Sequence, residues 1–583
     1  MRTQFQFRAY LVLGCLLIAS AAIVLQIFRI QTSPESLTFK EWGKDSSRVL
    51  VTIYPERGII SDINGHMLAG NKTVYEIGVS LKDVTDPQTI AQSVSSALGL
   101  DYQKIYDEIT NPPEGLVYLT LNRFVDTDKA KYLQDLQIDL DKKYTQKGDP
   151  NLDGLNFKAH LMRSYPDKSL ASDVIGFVNQ DNSGNYGVEQ KYDSLLAGVP
   201  KKEWVSLDPN LAGETPKVPA GTDLILTINR DIQAMVESEL NKGLQDTGSA
   251  AGTIIVMDPK TGAIMAMAST PQMDLNDYTN FGSIYKTAGE FNRAVSEQYE
   301  PGSVFKVLTM SAAIDSGLVS PTTTYLDTGF YTIGGVNIFN WDRGAWGVQD
   351  MVGCLQNSLN VCMSRLADLM GENTFYTYMR RFGIGHPTGI DLANEASGRL
   401  KDPTDSDWYK VDLGTNSFGQ GVSVSPIQMM TAASAIANDG KMIYPHVLYA
   451  MVNNGSEHVT PIQTLGTPIS AQTAHTVTEM LAKALENNSS VARVDGYRIA
   501  GKTGTASIPL PNGEYDPTLT NATFLGWGPV DDPKFMVYVW LEKPLKSDWA
   551  SYVASPIFHD VVEKLVVLMN LPPDDIRKQL AGQ

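Results

Sequence analysis

At 583 residues, with 43% hydrophobic and 19% charged content, the chain is too long for one core and has the composition of two or three globular domains. A formal charge of −18 argues against a nucleic-acid binder, which needs a basic face to track phosphates. Three cysteines, Cys15, Cys354 and Cys362, supply neither a disulfide framework nor zinc-ligand spacing.

From the N-terminus, residues 1–8 carry Arg2 and Arg8, and residues 9–28 hold no charged side chain. As a helix that run spans about 30 Å, the thickness of a bilayer's hydrocarbon core. It is predicted to be an uncleaved transmembrane anchor with residues 1–8 cytoplasmic. The rival reading is a cleaved signal peptide, but the small-residue cleavage pattern is poor and aliphatic residues continue to Ile30. Arg29, Lys40 and Lys44 follow the run, so orientation rests less on charge than on the chemistry below. Residues 29–49 are expected to be a polar linker. Residues 50–215 alternate strand-like runs, such as 74–79, with helical stretches and form a first domain. Pro216, Pro219 and Gly221 mark a boundary to a second domain, 216–575, followed by a tail at 576–583.

In the second domain, apolar runs 253–257 and 263–268 flank Asp258 and Pro259 and predict a hairpin. Pro301 and Gly302 then precede SVFKVLTMSAAI at 303–314, a helix signal that is apolar almost all round and belongs in a domain centre. Ser303 opens this helix, where free backbone N–H groups favour negative charge. Lys306, its only charged residue, lies one turn on and on the same side. Burial disfavours an ammonium ion and lowers its pKa, so Lys306 can accept a proton from Ser303. Ser358 and Asn360 come next, then a helix at 427–437, then Lys502, Thr503, Gly504 and Thr505 at the start of a strand. A second hairpin joins 523–527 to 535–541 through Pro529, Asp531, Asp532 and Pro533.

Ser303–x–x–Lys306, Ser358–x–Asn360 and Lys502–Thr503–Gly504 together supply a nucleophile, two bases, a proton shuttle and a carboxylate site. Acyl transfer through a serine ester needs those parts. Each motif alone is weak, because each has a second copy in the chain. Ser283 with Lys286 lies among polar residues, Ser183 with Asn185 in an Asn/Asp/Gly-rich loop, and Lys260–Thr261–Gly262 in the first hairpin turn. Cys354 and Cys362 are eight apart, which a continuous helix would make about 12 Å, too far for a disulfide. They are therefore expected to be separate buried hydrophobes.

The ordered set resembles the penicillin-binding protein and serine β-lactamase superfamily. The middle motif is Ser358–Leu359–Asn360, with Leu in place of the Asp of S-D-N. Glu300–Pro301–Gly302–Ser303 and Gly419–Gln420–Gly421, with Ser425, Pro426 and Gln428, resemble segments of the monofunctional, class B penicillin-binding proteins. Upstream, Arg57–Gly58–Ile59–Ile60 with Asp62, Asn64 and Gly65, then Arg163, Tyr165, Gly187, Glu189 and Tyr192, are similar to that family's N-terminal domain, with Ile63 at a position it gives to Arg.

The resemblance implies an α+β fold: a transpeptidase domain with a five-stranded antiparallel sheet flanked by helices, an all-helical subdomain, and an elongated non-catalytic pedestal behind a membrane anchor. It implies a peptidoglycan D,D-transpeptidase that β-lactams acylate. Ser303 would attack the penultimate D-Ala of a stem peptide, Lys306 take its proton, Ser358 relay it to the leaving D-Ala, Asn360 hold Lys306 or a substrate amide, and Lys502 adjust the local field. Lys502, Thr503 and Thr505, with Gly504 between them, would bind the terminal carboxylate, and the backbone N–H groups of Ser303 and Thr505 would form the oxyanion hole. No metal or organic cofactor is expected. A polytopic membrane glycan polymerase is the implied partner, and the extracytoplasmic face of the cell membrane the implied location. The competing readings are a D,D-carboxypeptidase or β-lactamase, or a β-lactam sensor or scaffold. Between Asn360 and Lys502 no Glu is followed four residues later by Asn, which weakens the class A β-lactamase reading.

Overall fold

The structure is a computed structural model describing residues 2–33, 48–144, 146, 148–206, 218–487, 490–510 and 514–581. It divides into two compact units, Met1–Glu56 with Gly198–Ala220, and Arg57–Ala197 with Gly221–Gln583.

In the first unit, helix Arg2–Thr32 contains the apolar run and extends beyond it. Residues 29–32, expected in the linker, are helical because nothing interrupts the helix before Pro34, which disfavours helical geometry in the residue before it. Residues 34–47 of the expected linker, and residues 207–217 beside the expected boundary, lie outside the described residues. Strands Arg48–Ile53 and Lys201–Ser206 pair antiparallel in this unit.

The second unit is built on two sheets. One runs in the order Ser456–Val459, Leu448–Asn453, Asp223–Leu226, Ile60–Ser61, Met67–Ser80, Tyr118–Asp126, with Leu155–Ser164 also paired to Met67–Ser80. Its parallel step, Ile60 opposite Leu224, ties the segment after Arg57 to the segment after Gly221. Beside this joint lies a buried ion cluster. Glu189 accepts from Arg57 Nε at 2.8 Å and Arg163 Nε at 2.7 Å, and Arg57 also reaches Asp193 at 2.8 Å. Removing one partner of such a cluster leaves a buried charge uncompensated, at about 3–5 kcal/mol. Asp62, fully buried, accepts from the backbone N–H groups of Asn64, His66 and Arg230.

The other sheet has five strands, in the order Ile264–Ser269, Ala251–Met257, Phe535–Glu542, Tyr515–Gly528, Ala500–Pro509, each antiparallel to its neighbours. Strand Ala251–Met257 is buried along its whole length, because both faces are covered. Ile254 and Val256 pack with Val236, Leu240, Phe558 and Val561 of helices Arg230–Thr247 and Ala550–Leu568. Ile255 and Met257 point the other way, into a core shared with Val304, Phe305 and Leu308. The alternation is the period of two of a pleated strand. Helix Pro426–Ala437, buried throughout, lies in that second core. A capping box between Ser425 and Gln428, with proline in the first turn, starts it.

Residues 574–581 form a helix, Asp574–Ala581, which takes in most of the expected tail. The expectation of two separate cysteines is corrected. Cys354 and Cys362 form a disulfide with a Cα–Cα distance of 6.1 Å. The reason is that no continuous helix joins them. Helix Met351–Gln356 stops, Ser358 turns left-handed at φ 53°, and helix Asn360–Met370 starts in a new direction.

Candidate active site

Ser303 lies in a 3-10 turn, Gly302–Phe305, and the α-helix proper, Lys306–Asp315, begins after it. The regular helix thus starts one turn later than its apolar pattern predicts. Gly302 takes φ 57°, and its N–H donates to Gly419 O at 3.0 Å. Ser303 is half-buried, and its hydroxyl makes no hydrogen bond among the described residues.

Lys306 has no exposed surface. Its Nζ donates to Ser358 O at 2.6 Å, Asn360 Oδ1 at 2.7 Å and Ser358 Oγ at 3.2 Å. The Phe418 ring centre lies 6.0 Å away. Burial, and secondarily the charge of Lys502, hold the Lys306 ammonium pKa well below the ordinary lysine value. The amide of Asn360 is oriented from both ends, since its Nδ2 donates to Phe339 O at 3.1 Å. The first two motifs therefore meet at one nitrogen, although 52 residues separate Lys306 from Ser358.

The third motif lies in edge strand Ala500–Pro509, next to the serine turn. Lys502 is 5% exposed, its Nζ donates to Thr503 O at 3.0 Å, and burial pulls its pKa down to about 7. Thr505 Oγ1 accepts from the Ala550 N–H at the start of helix Ala550–Leu568. A Cβ on Gly504 would lie 2.2 Å from Thr523 Oγ1 and 3.0 Å from Pro301 O. A side chain here would clash first with Thr523 of the neighbouring strand and then press on the serine turn at Pro301. Gly504→Ala is expected to push the strand and the serine turn apart and slow penicillin acylation by about 10²-fold, measured by stopped-flow fluorescence.

Several residues around the site carry no chemical signal in the sequence. Glu300 accepts from Gly421 N at 3.0 Å and from Tyr515 OH at 3.0 Å, which links the lead-in before Ser303 to the Gly419–Gln420–Gly421 segment. A Cβ on Gly419 would meet Gly302 O at 2.3 Å, so this glycine too is set by backbone proximity. Only the resemblance of these segments to a known family points to them. Trp341, whose Nε1 donates to Asn357 O at 3.0 Å, stacks edge-on against Trp549 at 5.0 Å, and nothing in the sequence pairs them.

The duplicate motifs sit elsewhere. Ser283 is exposed and donates to Asn280 O. Lys260 pairs with Asp532 at the surface, in the first hairpin turn. Asn185, expected in a loop, belongs to a two-residue strand, Gly184–Asn185, paired with Phe177–Val178.

The penicillin binding protein transpeptidase domain matches residues 252–563, more than half of the chain, and the penicillin-binding protein dimerisation domain matches residues 52–217. The chain belongs to the class B penicillin-binding proteins. Among its relatives, stage V sporulation protein D of Bacillus subtilis is 30% identical over 91% of this chain and 81% of its own. The peptidoglycan D,D-transpeptidase FtsI of Escherichia coli K12 is 29% identical over 97% of this chain and 93% of its own. Penicillin binding protein 3 of Mycobacterium tuberculosis, crystallised with aztreonam, superposes with a TM-score of 0.68 at 26% identity, covering 90% of this chain and 98% of that one. This penicillin-binding protein thus carries the family's mixed α+β fold, an N-terminal dimerisation domain and one N-terminal apolar helix, Tyr10–Thr32.

Proposed function

We propose that the chain is a serine D,D-transpeptidase that cross-links peptidoglycan stem peptides and is acylated by β-lactams at Ser303. The observation that carries this reading is the Lys306 amine, buried, shifted towards its neutral form, and hydrogen-bonded to Ser358 and Asn360 one turn after Ser303.

Ser303 Oγ attacks the carbonyl of the penultimate D-Ala while Lys306 Nζ takes its proton. The negative charge that develops on the carbonyl oxygen is held by the N–H groups of Ser303 and Thr505, each donor contributing about 3–4 kcal/mol in the transition state. The C–N bond then breaks, and the proton passes from Lys306 through Ser358 Oγ, 3.2 Å away, to the departing D-Ala amine. A second stem peptide's amine next attacks the ester, gives up its proton by the same route in reverse, and restores the Ser303 hydroxyl. Lys502, Thr503 and Thr505 hold the donor's terminal carboxylate. Hydrogen bonds here tighten as substrate binds, so the resting serine needs no bond to Lys306. Helix Arg2–Thr32 anchors the chain in the cell membrane with the catalytic domain, residues 216–575, outside, where stem peptides lie. Chain polymerisation falls to a partner, a polytopic membrane glycan polymerase.

Penicillin treatment followed by intact-protein mass spectrometry and peptide mapping tests the reading. A durable adduct of whole penicillin on Ser303 is expected. An adduct on another residue, or none, overturns the assignment, and rapid release would instead mark a β-lactam hydrolase.

The free-enzyme acylation rate should also depend on pH. As pH rises through about 7, Lys502 loses its proton and with it the charge that attracts the penicillin carboxylate. Second-order acylation is therefore expected to fall above about pH 7, and Lys502→Arg, which stays charged, to remove the fall.

A further inference from the structure

Cys354, in helix Met351–Gln356, and Cys362, in helix Asn360–Met370, are both buried, and the turn between them carries Ser358 and Asn360. Each hydrogen bond that Lys306 Nζ makes among the described residues ends inside this bridged span. The span departs from a helix for a geometric reason. In a continuous helix, residues two apart point to nearly opposite sides, so Ser358 and Asn360 could not both reach one amine. Left-handed Ser358, at φ 53°, breaks the helix and brings both side chains to Lys306.

The break is a left-handed helix C-cap that carries a serine where glycine is usual. Serine adopts positive φ only where its surroundings enforce it. The helix before it has six residues, too few to hold itself. Its two cap bonds run from Leu359 N–H to Cys354 O at 3.0 Å and from Ser358 N–H to Leu355 O at 3.3 Å. A bond between the two sulfurs excludes the continuous helix outright, because that helix would hold them too far apart.

We propose that the Cys354–Cys362 disulfide is a positioning element of the acylation site, holding the left-handed turn that presents Ser358 and Asn360 together to Lys306. The inference rests on the transpeptidase reading and extends it. Without the bridge the turn relaxes toward helix, one of the two partners leaves Lys306, and proton transfer slows. The strand carrying Lys502 lies on the sheet and is untouched, so penicillin still docks by its carboxylate.

Stopped-flow acylation by a fluorescent penicillin, separated into docking affinity and the first-order acylation step, is the test. Cys354→Ala, Cys362→Ala and the double variant are compared with wild type and with Val561→Ala, a cavity in the opposite core. The acylation step is expected to fall by at least about 10-fold, equally in the singles and the double, with docking unchanged and Val561→Ala at the wild-type rate. An unchanged acylation step overturns the proposal, as do single effects that add in the double, or a loss that Val561→Ala matches at equal Tm. Finding both thiols free by alkylation of protein secreted into an oxidising compartment overturns it as well. A wild-type protein that penicillin never labels would sink the transpeptidase reading itself, whereas the outcomes above leave that reading intact.

Discussion

Ser303→Ala is expected to abolish covalent labelling by penicillin and to lower transpeptidation by on the order of 10⁴–10⁶-fold, the scale seen when a serine nucleophile is removed. The loss should be chemical and not structural. The Ser303 hydroxyl is half-buried and accepts or donates no hydrogen bond among the described residues, so its removal breaks none. Tm is expected to change by no more than about 1 °C, within the range of a substitution that touches no buried network. Lys502 and the strand around it remain, so reversible penicillin binding should survive and be measurable by competition. A variant that still forms a stable adduct would remove Ser303 from the mechanism.

Lys306→Met is expected to lower the acylation rate by about 10²–10⁴-fold, the range of a general base, while docking persists. Methionine keeps much of the volume and loses the proton acceptor. The variant should also change how stability depends on pH. The unfolded chain keeps the Lys306 proton up to about pH 10.4, and the folded chain releases it well below that. Between the two values the unfolded state binds more protons, so wild-type stability rises with pH across the window. Below the folded value the burial penalty is present in full, and above about pH 10.4 it vanishes. The difference in Tm between wild type and Lys306→Met should therefore move in favour of wild type as pH is raised through this window. Parallel Tm curves would mean that Lys306 titrates normally, contradicting the burial argument.

Much of the site is legible in the sequence because its chemistry is written locally. Ser303 and Lys306 are one turn apart in an apolar segment, and an apolar segment with one charge must bury that charge. The same reasoning separates the proposed site motifs from their copies, since Lys260 and Ser283 sit in polar surroundings and lie at the surface. Strands such as Ala251–Met257 and Phe535–Glu542 are legible as apolar runs bounded by turn residues. Local reasoning fails at a helix break. A helix continued through Ser358 would hold the two cysteines too far apart to bond, and no residue there, neither glycine nor proline, signals the left-handed turn that brings them together.

The residue order thus determined the kind of chemistry: a hydroxyl one turn from an amine whose pKa burial lowers, and an apolar N-terminal run long enough to cross a bilayer. Tertiary packing decided what that amine faces. Ser358, Asn360 and Lys502 reach the neighbourhood of Lys306 from distant parts of the chain, through a bridged turn and an edge strand that glycines let approach the serine. Short-range pattern encodes conformation and burial, but convergence of separated segments depends on which surfaces exclude water against each other, and that is a property of the whole fold.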